Sequence, residues 1–167
     1  EENMVVTISH SGYIKRSSVS DYRLQRRGGK GRLGMSTKDE DFVETMFVAS
    51  THDYLLFFTD RGQIFRKKVF ELPQAGPTGR GKAVVNLLPL REGEKVCTYL
   101  NVPQESENQY ILMCTEKGIC KKISMLDCSK IRVSGLRGIS LDEGDSLISA
   151  QLTNCLLYTS PSPRDRS

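Results

Sequence analysis

The residues best suited to chemistry in this chain lie in one short basic, glycine-rich stretch, Gln25 to Arg32, with the sequence QRRGGKGR. Its arginines and lysine can form charge-assisted hydrogen bonds with phosphate oxygens, and arginine can bind a phosphate through two parallel bonds. Its three glycines carry no Cβ, so their backbone N–H groups can approach a phosphate closely. The pattern favours an exposed loop that binds a nucleic-acid backbone and recognises little of its sequence.

The charge around this stretch supports a polyanionic ligand. Five basic residues and no acidic one lie between Arg23 and Arg32, and an acidic cluster then reverses the sign at 39–44. Like charges at this density repel one another unless a polyanion or solvent screens them. An ordinary solvated turn remains the alternative. The stretch lacks the Gly-Lys-Ser/Thr end of a nucleotide-binding P-loop, so that class of site is not predicted.

Three segments of similar pattern predict β-hairpins. They are VVTISHSGYIKR (5–16), YLLFFTDRGQIFRKK (54–68) and YILMCTEKGICKK (110–122). Each has an apolar β-rich run, a two-residue step ending in Gly, and a run in which apolar and basic residues follow one another. A glycine at Gly12, Gly62 and Gly118 supplies the positive φ that tight hairpin turns require.

A repeat near 50 residues organises the chain, because these glycines are 50 and 56 residues apart. A second glycine-basic cluster follows each hairpin: GGKGR (28–32), TGRGK (78–82) and SGLRG (134–138). Apolar runs of strand composition come next, at 83–90 and 139–152, with 42–50 in the equivalent place of the first repeat. About four short strands per repeat predict an all-β, propeller-like fold in which each blade needs its neighbours.

One segment allows two interpretations. Ser36 to Val48 could begin as a capped helix with an acidic first turn, whereas the repeat predicts that Phe42 to Ala49 is a strand. The strand is the preferred prediction, because no other segment shows sustained helical periodicity with caps.

The composition excludes several other classes of protein. The five cysteines form no Cys-x-x-Cys pair and lie at no metal-ligand spacing from a histidine, so they are expected to be structural thiols in a reducing cytoplasm.

No apolar run reaches the ~18–20 residues that a membrane-spanning helix needs, and no membrane partner is expected. The start, Glu1-Glu2-Asn3, resembles no signal peptide and suggests a fragment of a longer protein.

The stretch QRRGGKG (25–31) resembles the seven-residue box in the C-terminal domain of bacterial DNA gyrase A. Its flanks are also similar to that family: VVTISHSGYIKR before it, KDEDFV (38–43) after it, and then 49–73 and 80–90. The resemblance extends from about residue 2 to residue 153. The seven box residues are Gln25, Arg26, Arg27, Gly28, Gly29, Lys30 and Gly31.

The resemblance implies a β-pinwheel, a propeller variant whose blades exchange hairpin strands and whose basic rim wraps double-stranded DNA. In the family the box lies on the outer edge of the first blade and is needed for the wrapping that gives negative supercoiling. The chain would supply about three blades of a larger domain. We expect blade 1 with the box at 1–50, blade 2 at 51–101, blade 3 at 102–154, and a non-native or disordered tail at 155–167.

The resemblance also implies that the catalysis lies elsewhere. The breakage–reunion tyrosine of an ATP-dependent type II topoisomerase (an isomerase) belongs to another region, so the six tyrosines here receive no catalytic role. No cofactor or metal is expected in this chain, since ATP and Mg act in gyrase B and the cleavage core. The expected partners are DNA, gyrase B and a second gyrase A in an A2B2 heterotetramer, in the bacterial cytoplasm at the nucleoid.

Other basic residues recur with the repeat and allow two interpretations. After the hairpin glycines they are Lys15, Arg16, 66–68, Lys121 and Lys122, and in the second cluster they are Arg80, Lys82, Arg132 and Arg137. They are either charges that keep strand edges soluble or a basic track from blade to blade. Strand alternation prevents adjacent pairs from all facing one way. The residues predicted to support the box in DNA binding are Arg23, Arg32, Arg66, Lys68, Arg80, Lys82 and Lys121.

Two alternative functions remain at this point. The chain of topoisomerase IV that corresponds to gyrase A has a similar C-terminal pinwheel with a degenerate or absent box, and the intact box here argues against it. A propeller that binds only proteins predicts no affinity for duplex DNA at low salt. An isolated three-blade piece, with open edges, is also expected to be marginally stable or prone to aggregate.

Overall fold

The computed structural model describes residues 2–21, 41–103 and 108–154, and in this part of the chain β-strands predominate. The prediction of an all-β fold is confirmed. Residues 19–21, at the end of the first described range, are helical. The other helical elements described are short: the 3-10 turns Val69–Glu71 and Val84–Asn86, and α1 at Met125–Cys128. The strands are β1 (Asn3–Ser9), β2 (Tyr13–Ser18), β3 (Val43–Ser50), β4 (Tyr54–Thr59), β5 (Gln63–Lys68), β6 (Lys82–Ala83), β7 (Val96–Val102), β8 (Gln109–Thr115), β9 (Cys120–Ser124), β10 (Leu136–Arg137) and β11 (Leu147–Asn154).

The described strands form three sheets, one around each predicted hairpin. Their orders are β3-β1-β2-β6, β10-β5-β4-β7 and β11-β8-β9, which gives four, four and three strands. In the first and third sheets the hairpin and the strand beside it are antiparallel, with Ile8 opposite Ile14 and Ile111 opposite Ile123. Apolar residues that face one another in this way pack across the sheet and hold its register.

The hairpin glycines adopt the predicted positive φ, but the loops are one residue longer than predicted. The φ angles of Gly12, Gly62 and Gly118 are 90°, 81° and 91°. Each glycine N–H donates at 3.0 Å to the carbonyl three residues earlier, on Ser9, Thr59 and Thr115. Such a turn followed by a left-handed glycine is the usual three-residue hairpin loop, so the glycine is its third residue.

A hydroxyl at the end of the first strand closes every one of these loops. Ser9, Thr59 and Thr115 accept a hydrogen bond from the backbone N–H four residues later, at 3.0, 3.2 and 3.1 Å. All three side chains are buried. The repeat therefore includes a Ser/Thr at this position, because a buried loop N–H without a partner is unfavourable.

Two of the sheets are completed by a strand from the following repeat. β6 pairs with β2, with Ala83 opposite Tyr13, and the Val84 N–H donates to the Gly12 carbonyl at 2.9 Å. β10 pairs with β5 in the same way, and the Gly138 N–H donates to the Gly62 carbonyl at 2.8 Å. This is the strand exchange that the resemblance implied.

The prediction of strands in the apolar runs was right in one place, right in part in another and wrong in a third. β3 covers Val43–Ser50, so the strand was correctly preferred to a helix over its described part. The run 83–90 is not a strand beyond Ala83, because the chain turns through Val84–Asn86 and the sheet takes β7 (Val96–Val102) instead. In the run 139–152 the strand begins only at Leu147.

The described chain consists of two compact units. One contains the described residues of Glu1–Leu55 with Lys67–Leu90, and the other contains those of Leu56–Arg66 with Arg91–Ser167. Each unit has its own apolar core: Val6, Ile14 and Leu72 are buried in the first, and Phe57, Ile64 and Met113 in the second. Burying one such side chain contributes about 1.5–3 kcal/mol. The division into blades at residues 50 and 101 stays a prediction.

The prediction for the cysteines was wrong at one pair. Cys114 and Cys120, directly opposite one another on β8 and β9, are joined by a disulfide. Spacing along the chain gave no sign of this, because the two sulfurs meet only when the hairpin folds. Cys128 is buried as a free thiol, and burial, with Asp127 adding to it, raises its pKa to about 11. Cys155 lies outside the described residues.

Candidate nucleic-acid interface

The predicted box lies outside the described residues. Gln25 to Gly31, with Arg23 and Arg32, falls in the range 22–40, so its geometry is not part of this structure. The described chain stops at Asp21, just after β2, and resumes at Asp41, just before β3. The structure therefore describes where the box segment is attached to the first sheet.

Asp41 fixes the second of these attachment points. Its carboxylate accepts hydrogen bonds from the Ser11 N–H at 3.0 Å, the Ser11 hydroxyl at 2.6 Å and the Phe42 N–H at 3.0 Å. Burial alone would raise the pKa of Asp41, but these bonds and one from the Ser9 hydroxyl outweigh it and lower the pKa to about 2. Asp41 thus stays ionised and ties the chain that leaves the box segment to the tip of the first hairpin.

The other two repeats contain an equivalent carboxylate. Glu94 is buried, accepts the Thr59 hydroxyl at 2.6 Å and accepts the Arg91 N–H at 2.9 Å. Asp145 accepts the Lys117 N–H at 3.0 Å, as Asp41 accepts that of Ser11. This set was not predicted from the sequence, where the acidic cluster at 39–44 was interpreted only as a change of charge. The signal that could have found it is the fourth residue of KDEDF, REGEK and DEGDS.

Arg80 lies beside the Asp41 attachment point. Its guanidinium stacks over the Tyr13 ring, 4.1 Å from the centroid, and its Nη2 is 3.7 Å from an Asp41 oxygen. The next residue, Gly81, has a φ of 84°, and a Cβ there would collide with the Ile14 carbonyl and stand 2.8 Å from the Lys15 Cβ. Only glycine fits this close approach, so Arg80 and the exposed Lys82 are presented from a fixed backbone.

Lys68 and Arg66 lie on β5 and are both half-buried. The Lys68 ammonium lies 5.2 Å from the Tyr54 ring centroid and 5.7 Å from that of Phe70. Aromatic faces attract a cation by about 0.5–1 kcal/mol at exposed sites. The structure therefore holds the charge of Lys68 against two rings beside the strand.

Lys121 is exposed on β9, next to the disulfide. It is the third residue after Gly118, a place taken by Lys15 and Phe65 in the other two hairpins. Its neighbour Lys122 lies over the Tyr110 ring, 5.1 Å from the centroid.

Basic residues recur in the second cluster of the sequence, but they do not occupy equivalent positions in the structure. Gly81 and Gly135 occupy equivalent places, since each has a positive φ and precedes an exchanged strand. The clusters TGRGK (78–82) and SGLRG (134–138) are therefore equivalent with an offset of two residues, since Gly81 is the fourth residue of the first and Gly135 is the second residue of the other. Lys82 corresponds to Leu136, and Arg137 corresponds to Ala83. A basic track at constant positions is not present in these two strands.

Lys15, one of the recurring basic residues, is not a surface charge. It has an exposure of 0%, and burial lowers its pKa while Asp21 acts in the opposite direction. Arg16, the next residue, is half-buried, and its Nε donates to the Leu72 carbonyl at 2.8 Å. Neither residue is positioned as a free contact for a phosphate.

The described residues hold no group of three or more His, Cys, Asp or Glu side chains that could bind a metal ion. Within the same residues, no helix is both long enough and apolar enough to cross a membrane.

Four of the six tyrosines lie in described strands, at Tyr13, Tyr54, Tyr99 and Tyr110, while Tyr22 and Tyr158 lie outside the described residues.

A family model described as DNA gyrase C-terminal domain, beta-propeller, matches residues 3–50, 53–96 and 109–154. The chain belongs to this family. DNA gyrase A of Neisseria gonorrhoeae is 45% identical over 153 residues, which are 92% of this chain and 17% of that relative. The three sheets agree with the propeller fold of this family. The chain spans less than a fifth of the length of this curated relative.

Two solved structures of the same class resemble the chain. The C-terminal domain of DNA topoisomerase IV has a TM-score of 0.76 and 29% identity, and the match covers 92% of this chain and 46% of that one. A DNA gyrase A C-terminal domain has a TM-score of 0.67 and 26% identity, with 92% and 48% covered. The match thus extends over almost all of this chain, and over about half of each solved domain.

Proposed function

We propose that this chain is a DNA-binding and DNA-wrapping part of DNA gyrase A. The observation that carries the proposal is an intact QRRGGKG sequence in a chain that belongs to the gyrase C-terminal domain family. Membership of the family supports the fold around the box, and the box supplies the charge that duplex DNA requires. The role of the box residues is proposed from the sequence alone, because they lie outside the described residues.

The proposed mechanism is a balance between bending and phosphate contacts. Bending 20–30 base pairs by 40–90° costs on the order of 1–6 kcal/mol. Contacts to phosphates offset this cost, because each releases condensed counterions. Arg26, Arg27 and Lys30 would bind phosphates directly, and the glycines between them would let the backbone approach the duplex.

Arg80 and Lys82 would extend the contact beyond the box. Arg80 lies 3.7 Å from Asp41, the residue at which the described chain resumes after the box segment. Its stacking on Tyr13 restrains the guanidinium, so less conformational entropy would be lost when it binds a phosphate. Arg66, Lys68 and Lys121 are kept as further candidate contacts.

The rest of the supercoiling reaction is assigned to other parts of the enzyme. In this proposal DNA cleavage uses a tyrosine outside this chain, and ATP and Mg act in gyrase B and the cleavage core. The wrapped DNA would be delivered to a heterotetramer of two gyrase A and two gyrase B chains in the bacterial cytoplasm. The chain itself would then need no cofactor.

A triple Ala variant at Arg26, Arg27 and Lys30 tests the proposal. We expect a normal circular-dichroism spectrum together with loss of DNA bending, measured by fluorescence energy transfer between the ends of a duplex. The matched control removes the same charge from three exposed residues outside the proposed set, Arg91, Lys95 and Lys130. Normal bending by the box variant would overturn the proposal.

Topoisomerase IV is the second candidate, favoured by the TM-score of 0.76 to its C-terminal domain. The two candidates differ in a supercoiling assay with the complete enzyme. Negative supercoiling of relaxed plasmid, lost in the box variant, supports gyrase. Relaxation or decatenation without negative supercoiling supports topoisomerase IV.

A further inference from the structure

The third residue after the hairpin glycine lies under the incoming exchanged strand in two of the sheets. In the first sheet this residue is Lys15, and in the second it is Phe65. Both are buried, with exposures of 0% and 3%. Each contacts the segment that delivers the strand from the next repeat, but the two contacts are chemically different.

Lys15 binds its segment through backbone carbonyls. Its Nζ donates to the carbonyls of Gly76, Pro77 and Gly79, at 2.7, 3.2 and 2.9 Å. An ammonium has three donors, so three carbonyls match it in number. This fit explains how a lysine can be buried in the sheet, since each buried donor has a partner.

Phe65 contacts its segment through a flat apolar surface. A Cβ built on Gly135 would lie 2.7 Å from Cε1 of the Phe65 ring and 3.0 Å from its Cζ. The backbone of Gly135 therefore rests directly on the ring. The Phe65 side chain has no polar atom that could donate to a carbonyl.

We infer that the third residue after the hairpin glycine selects which exchanged strand the hairpin accepts. A phenylalanine under the segment 76–81 would leave three carbonyls without their donor. A lysine under the segment 130–135 would lose this set of acceptors for its ammonium. The first mismatch leaves partly buried carbonyls unpaired and the second leaves a buried ammonium unpaired, and unpaired polar groups discriminate more strongly than the loss of a favourable contact.

Such selection gives a repeat protein a means of keeping its blades in order. The hairpins share one loop geometry and one closing hydroxyl, so these features cannot tell one exchanged strand from another. The backbone ladder is equally unselective, because Val84 and Gly138 form equivalent hydrogen bonds. The side chain beneath the strand is the feature that differs. This inference does not depend on DNA binding.

An exchange of segments tests it. The segments 76–81 (GPTGRG) and 130–135 (KIRVSG) have equal length, and both end on the positive-φ glycine before the strand. Four forms of the full chain are compared: the unchanged protein, Lys15→Phe, a graft of residues 130–135 in place of 76–81, and the two changes together. The readout is hydrogen exchange of the Val84 amide, with the Val6 amide in β1 as an internal reference. Lys95→Met, at an exposed site, controls for loss of a lysine.

Each single change should lower the protection of the Val84 amide by roughly tenfold or more, since several charge-assisted hydrogen bonds are lost. The combined variant should recover at least part of this protection, although it carries more substitutions than either single variant. This recovery decides the matter whether or not a single variant stays folded. Wild-type protection in Lys15→Phe, or a combined variant no better protected than the worse single change, overturns the inference.

Discussion

The carboxylate of Asp41 accepts hydrogen bonds from both the N–H and the hydroxyl of Ser11, a residue 30 positions earlier in the chain. This contact ties Asp41, at which the described chain resumes, to the tip of the first hairpin. Glu94 and Asp145 form related contacts in the other repeats. The acidic residues that follow the basic stretch therefore have a structural role in addition to their effect on charge.

Asp41→Asn should lower the free energy of unfolding near neutral pH by about 2 kcal/mol. The pKa of Asp41 is lowered from 3.8 to about 2, so the stability it contributes is present above about 4 and is lost as the pH falls towards 2. Urea unfolding of both proteins across this range measures the effect. The difference should shrink with falling pH. Glu44→Gln, at an exposed site paired with His10, is the control, and a difference of equal size there would refute the assignment.

Tyr13→Leu should weaken binding to duplex DNA by up to about two- to fivefold, because Arg80, no longer restrained by a stacking contact of about 0.5–1 kcal/mol, would lose more conformational entropy on binding a phosphate. The substitution removes the ring that restrains Arg80 and leaves the charge in place. Tyr13→Phe keeps the ring and should bind normally. In an Arg80→Ala background Tyr13→Leu should have no further effect, and a full effect there would show that the ring acts independently of Arg80.

Replacing Arg80 and Lys82 by Ala should reduce the salt dependence of DNA binding. The slope of log K against log salt changes by about 0.9 for each phosphate contact, so losing both should reduce it by about 1.8. Binding isotherms at four or more salt concentrations provide the slope. Thr78→Ala, an exposed and uncharged residue nearby, should leave it unchanged. An unchanged slope in the double variant would remove both residues from the interface.

Reduction of the Cys114–Cys120 disulfide should destabilise the third hairpin only modestly. The sequence separation of six residues makes the closed loop short, and loop-closure entropy then contributes on the order of 2 kcal/mol. Thermal melts with and without reductant, compared with a Cys114→Ser, Cys120→Ser variant, measure this. The reduced protein and the variant should melt alike, and a reductant effect that persists in the variant would point to another source.

Cys128 should react slowly with iodoacetamide at neutral pH in the folded protein. Its thiol is buried and its pKa is raised to about 11, so the reactive thiolate is scarce. Modification rates followed by mass spectrometry with and without denaturant test this. Equal rates in both states would contradict the buried position.

Features with a local cause could be predicted from the sequence. The hairpins follow from apolar runs on either side of a glycine, because a positive φ is a property of that residue and its immediate neighbours. The error of one residue in loop length arose because the closing hydroxyl of Ser9 was not recognised as part of the turn. The strand at Val43–Ser50 was found because the repeat overruled a weak helix signal.

Features with a distant cause could not be predicted in this way. From the sequence, Lys15 is expected to be an exposed charge on a strand. Its burial is explained only by the carbonyls of Gly76, Pro77 and Gly79, which are distant in the sequence. The cross-strand disulfide likewise depends on strand register. Lys82 and Arg137 both belong to the second glycine-basic cluster, yet Lys82 pairs with Ile14 and Arg137 pairs with Gln63, so they occupy different positions of the repeat.

The sequence alone determined the repeat, the all-β class and the basic box, because each depends only on residue types and on their spacing along the chain. Only the tertiary structure decided which cations remain exposed and which are buried, as Lys82 and Lys15 illustrate. The physical reason is that the fate of a charge depends on whether distant backbone atoms can replace its water. That replacement exists only after the strand from the next repeat has docked.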